Sequence, residues 1–138
     1  MIQLIIGEKG KGKTKILLDK ANTEIKSANG SVVYVDKSKQ HMYELNNRIR
    51  LIDITAYPLE NSDSFIGFLC GLISQDNDLE IIYLDSFLKI THIEDQDVTP
   101  VLDQIIRLGE AFHITFVISI SLTRQQLPDK FEQYIICE

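Results

Sequence analysis

A chain of 138 residues, 44% hydrophobic and 25% charged, has the size and composition of one compact domain with an ordinary core, so residues 1–138 are expected to form a single domain. Apolar stretches such as 114–120 are far too short to span a bilayer, and 2–6 is too short for a secretory leader, which excludes membrane classes and predicts a cytoplasmic protein. The net charge of −6 disfavours nucleic acid as a partner, but it is uneven: up to Lys26 there are six lysines against Glu8, Asp19 and Glu24, which suits a polyphosphate ligand near the amino terminus.

The apolar run Ile2 to Ile6 reads as a strand, and it delivers the chain directly into Gly7-Glu8-Lys9-Gly10-Lys11-Gly12-Lys13-Thr14. This is a full GxxxxGK[ST] phosphate loop. Glycines let the backbone curl so that successive N–H groups converge on phosphate oxygens, and the helix that follows presents its positive end to them. Lys13 is expected to reach the β- and γ-phosphates as a point charge, and the Thr14 hydroxyl to ligate Mg²⁺.

Helical spacing of Ile16, Leu17, Ala21, Ile25 and Ala28 predicts a first helix over 14–27, stopped by Asn29-Gly30. A strand over 31–36 ends on Asp36, a short helical segment follows at 42–45, and 49–54 reads as another strand. After Tyr57-Pro58, Ser62 or Asp63 is the expected cap of a helix carrying Phe65, Ile66, Phe68, Leu69 and Leu72. Residues 79–85 read as a buried strand ending on Asp85, the expected acidic partner of the loop and second support of Mg²⁺. Thr99-Pro100 opens a helix through Phe112, with Thr99 as its expected cap. The near-continuous apolar run 114–120 is a strand covered on both faces, and 133–137 is a last strand. Cys70 and Cys137 lie in apolar segments and are expected to be buried free thiols.

Strands alternating with helices predict an α/β fold, a three-layer sandwich around a mainly parallel sheet, with ligands at the carboxyl ends of the strands. Asp36, Asp85 and residues 119–123 fall on that rim together with the loop. His41, His92 and His113 have no zinc spacing with other ligands, and no nucleophile elbow is present.

The stretch Ile81-Ile82-Tyr83-Leu84-Asp85-Ser86-Phe87 resembles the Walker B strand of RecA-superfamily ATPases, the group with RecA, RadA and KaiC. Val32 to Asp36 is similar to the second strand of that core, and Leu51-Ile52-Asp53 to the extra strand of the KaiC and RadA branch. Val117-Ile118-Ser119 resembles the sensor strand, and 131–137 the closing strand. The resemblance implies a P-loop NTPase with a RecA-like core that binds ATP and Mg²⁺. In it Lys13 and Asp85 are the leading catalytic residues, Ser119 senses the γ-phosphate, and turnover is weak or stimulated by an unidentified protein partner.

Two departures weaken the expected hydrolysis. The glutamate usual just past the second strand is replaced by Ser38, and the position after the Walker B aspartate, where many other ATPases carry glutamate, is Ser86. Water activation then falls to Asp36, to the Glu94-Asp95 loop or to a partner. The chain ends with the closing strand, so the expectation is a monomer or small oligomer rather than a ring or filament. A non-hydrolysing module using the acidic loop 94–97 as partner surface is the alternative. A small-molecule or nucleotide kinase ranks lower, because Arg48, Arg50, Arg107 and Arg124 form no lid-like cluster.

Overall fold

The computed structural model describes every residue from Met1 to Glu138. Six strands form one sheet: β1 (Ile2–Ile6), β2 (Ser31–Asp36), β3 (Arg50–Asp53), β4 (Leu79–Leu84), β5 (Thr115–Ile120) and β6 (Ile135–Cys137). Their order is β3-β2-β4-β5-β1-β6, and every pairing is parallel. The helices are α1 (Lys13–Glu24), α2 (Ser62–Ser74), a short α3 (Phe87–Ile90) and α4 (Thr99–Phe112). Short 3-10 turns occupy Met42–Glu44, Ile54–Ala56 and Asp129–Tyr134.

The period-two alternation of the strands sorts their side chains into two cores. Leu4, Ile6, Val33, Val35, Ile82, Leu84 and Ile118 face one layer, packed by Phe65 and Leu69 of α2 and by Leu102 and Ile105 of α4. Ile5, Val32, Tyr34, Ile81, Tyr83 and Val117 face the other, where Leu17, Leu18 and Ala21 of α1 cover them. The α/β three-layer architecture is as the sequence implies, with a wholly parallel sheet. No helix is long and apolar enough to cross a membrane.

Several local expectations are corrected. α1 ends at Glu24, and Ile25 to Ser27 leave it as a turn. The cap of α2 is Asn61 rather than Ser62 or Asp63: its side chain accepts from the Ser64 N–H while the Ser64 hydroxyl accepts from the Asn61 N–H, a reciprocal box that neither neighbour supplies. Thr99 lies inside α4, after Val98, and its N–H is taken by Asp97 at 2.9 Å. The last strand starts at Ile135, because 129–134 coil into a 3-10 turn. Cys70 is exposed and Cys137 half-buried, both free. α2 buries Phe65, Leu69, Leu72 and Ile73, which turns Cys70 to the outside, and β6 is an edge strand with one neighbour.

One glycine sits where only glycine fits. A Cβ on Gly30 would stand 2.0 Å from the carbonyl oxygen of Asp78, itself bonded to the Ser31 N–H at 2.8 Å. Backbone cannot swing aside there without opening the start of the β2–β4 ladder. Gly30→Ala is expected to cost about 3 kcal/mol or more, lowering the melting temperature by roughly 10 °C; a melt unchanged within error would show that the Asp76–Asp78 turn yields freely.

Candidate functional site

The loop between β1 and α1 is shaped by left-handed backbone. Gly10 and Gly12 have φ of 83° and 80°, conformations that side-chain-bearing residues rarely adopt, and nothing lies within 4 Å of where a Cβ would stand on either. Packing therefore does not demand these glycines. Their φ does, and the open space beside them admits a close ligand. The Gly7 N–H is tied to the Leu122 carbonyl at 2.8 Å, fastening the loop's entry to the segment after β5. Gly12 is also the cap residue of α1, so unpaired helix N–H groups follow directly.

Lys13 is buried and folds back over the loop, its Nζ donating to the Glu8 carbonyl at 2.7 Å. Burial holds its ammonium below the usual lysine range, partly offset by the attraction of Asp85. Thr14 donates its hydroxyl to Asp85 Oδ1 at 3.2 Å, and Ser119 donates to the same oxygen at 2.8 Å. Tyr34 donates to Oδ2 at 2.8 Å. Burial, and then the Asp85 charge, keep that phenol protonated far beyond its ordinary range, so it acts as a donor. The Ser86 N–H closes the chain by donating to Ser119 Oγ at 3.0 Å.

Sheet order explains this convergence. β5 lies between β1 and β4, its Ser119 paired in register with Ile5 and its Ile118 with Leu84. Ser119 thus comes up beside both the loop's root and Asp85. Loop, Asp85 and Ser119 line one cleft of about 270 Å³, with Lys9, Gly10, Gly12, Lys13 and Thr14 on one side and Ser86, Lys89, Glu94 and Lys37 on the other. Its donor set for a metal is all oxygen, the Thr14 hydroxyl and the Asp85 carboxylate. Too few His, Cys, Asp or Glu side chains gather for an all-protein cage. That combination fits Mg²⁺, which is usually held by one or two protein oxygens plus phosphates and water.

The fold has a solved counterpart. The flagellar accessory protein FlaH from Methanocaldococcus jannaschii superposes with a TM-score of 0.62 over 94% of this chain, at 16% sequence identity. The chain spans 63% of the length of that protein. At such identity the likeness concerns the fold, and the fold is the RecA-like α/β core. No family model matches the sequence, and no curated protein does either.

Other residues expected at the site lie differently. Asp36 reaches the same rim but is buried outside the cleft wall. It sits between Asp53 of β3, its register partner, and Asp85, whose N–H bonds the Val35 carbonyl. One oxygen accepts from the Lys37 N–H at 2.7 Å and the other has no partner. Burial first, then the Asp85 charge, push its carboxyl up to about 6. Glu8 contributes its carbonyl, and Lys11 stays exposed. Arg124 turns away into an ion pair with Glu138, Nη2 to Oε1 at 2.7 Å.

Lys37 and Lys89 are cleft residues that sequence reasoning missed. Lys37 was findable, since it follows a strand-ending aspartate on the carboxyl rim of the sheet. Lys89 was not: it arrives through α3, which starts after Ser86 adopts left-handed backbone at φ 55°, a turn no residue pattern announces.

Proposed function

We propose that this chain binds a nucleoside triphosphate, ATP by preference, together with Mg²⁺, as one nucleotide-binding domain, and that hydrolysis is weak or depends on a partner. The observation that carries the reading is the convergence of Thr14, Ser119 and Asp85 within hydrogen-bond distance at the mouth of a glycine loop with open space beside it. Loop N–H groups and Lys13 would hold the phosphates. Thr14 and Asp85 would hold the metal, which when bound offsets charge on the β- and γ-phosphates. Ser119 and Tyr34 orient Asp85 by donating one hydrogen bond to each of its oxygens, which leaves acceptor capacity for the metal.

Slow turnover is supported by what faces the cleft. Apart from Asp85, the only carboxylate on its wall is Glu94, on the connection between α3 and α4. Asp36 is screened from it by burial. Glu94 is the group placed to position water, and its exposure leaves it poorly pre-organised.

Titration calorimetry with ATP should show binding that weakens strongly when Mg²⁺ is removed with EDTA. In a phosphate-release assay, Glu94→Gln should lower turnover roughly 100-fold with nucleotide affinity kept. Release undiminished in that variant removes Glu94 from the reaction. Release no greater than from Lys13→Ala identifies the second reading, a nucleotide-responsive module without turnover, which Ser38 and Ser86 favour.

A further inference from the structure

Lys37 and Lys89 stand on the cleft wall opposite the loop, and the phosphate loop already brings its own lysines, Lys9 and Lys13, to the other side. Four lysines therefore face two carboxylates, Asp85 and Glu94, and Asp85 already accepts from Thr14, Ser119 and Tyr34. Neither Lys37 nor Lys89 makes an ion pair with the protein, although Lys89 is half-buried. Outside the cleft Lys15, Lys20 and Lys130 pair with Asp19, Glu24 and Asp103, while Lys11, Lys26 and Lys39 are unpaired but exposed, so Lys37 and Lys89 are distinguished from these by lacking a partner while lining a concave site. Cations left without a partner in a concave site mark where an anion is to be received.

Both lysines also border a neighbouring cavity of about 480 Å³, lined by Ile54, Tyr57, Leu59 and Ile90 among others. Lining both spaces, they stand between the two. Sheet order gives their target. In the sequence β2-β4-β5-β1, Lys37 follows β2 and Lys89 follows β4, so both lie on the Asp85 side, across β5 from the strand that carries the loop. A polyphosphate seated on the loop, with its metal at Thr14 and Asp85, would direct its terminal phosphate toward them.

We infer that Lys37 and Lys89 form a clamp, supplied within the chain, for the terminal phosphate of the bound nucleotide, making the site selective for triphosphate over diphosphate. This rests on the nucleotide-binding reading above. The γ-phosphate brings both additional negative charge and additional acceptor oxygens, so a charge-assisted bond to each ammonium acts on ATP and not on ADP.

The test is the affinity of the full chain for Mg·ATP and Mg·ADP, measured by calorimetry in the parent, in Lys37→Gln/Lys89→Gln, and in Lys26→Gln. The last removes the same charge from an exposed turn outside the cleft wall. The parent should prefer ATP, and the double variant should lose about tenfold or more in ATP affinity while ADP changes by less than about twofold. Lys26→Gln should behave as the parent. An equal loss for both nucleotides, or an ATP preference that survives the double substitution, overturns the clamp and leaves nucleotide binding standing. A parent that binds neither nucleotide overturns both.

Discussion

Lys13→Ala is expected to abolish the thermal stabilisation that ATP with Mg²⁺ confers on the parent protein. A ligand that binds only the folded state at one hundred times its Kd stabilises by about 2.7 kcal/mol, which for a chain of this length raises the melting temperature by roughly 8–12 °C. Lys13 is the buried cation of the loop, held 2.7 Å from the Glu8 carbonyl and attracted by Asp85. On the proposed reading, removing it leaves the loop N–H groups without the point charge that would answer the β- and γ-phosphates. The decisive quantity is the ligand-induced shift, because losing the bond to Glu8 also alters the unliganded melt. Lys13→Gln, which keeps most of the stem and a donor without the charge, separates packing from electrostatics and should also lose most of the shift. Equal shifts in the parent and both variants would place the nucleotide away from this loop.

Asp36→Asn is expected to stabilise the protein, and to do so only above the acid range. In the folded chain the Asp36 carboxyl is pushed up to about 6 from an ordinary 3.8, by burial and by the neighbouring Asp85 charge. The folded state therefore prefers the protonated group. Its stabilising contribution is complete below about pH 4 and is lost as pH rises toward and through 6. At neutral pH the buried charge costs on the order of 2–3 kcal/mol relative to the neutral form. Asparagine keeps the acceptor that bonds the Lys37 N–H and removes the charge. The variant should melt roughly 5–10 °C higher than the parent at pH 8 and within a degree or two of it at pH 4. A gain independent of pH would mean that the charge is not what opposes folding there.

That buried aspartate shows how a site's residues and their arrangement are legible to different degrees. Asp36 and Asp85 both end apolar strands, and from the sequence both belong on the ligand rim. Register then separates them. Asp85, beside β5, receives Thr14, Ser119 and Tyr34, whereas Asp36, between β3 and β4, has one oxygen without any partner. Tyr34 had no readable role, because its partner lies 51 residues away and the pairing of Val35 with Leu84 creates the contact. Cys70 was misjudged because apolar neighbours in sequence are not neighbours in space on a helix: three residues past Gly67 and one past Leu69, it falls off the buried stripe.

The sequence by itself determined the glycine-rich loop that ends in Lys13 and Thr14, the alternation of strands and helices, and the rim on which Asp36, Asp85 and Ser119 would lie. These are local matters: backbone freedom at glycine, period-two and period-3.6 burial, and strands that end in polar residues. Only the tertiary structure decided which of those rim residues meet, that Glu94 is the remaining carboxylate of the cleft, and that Lys37 and Lys89 face the loop across it. Strand order is set by how long crossovers pack onto a shared sheet, and no short window of sequence carries that free energy.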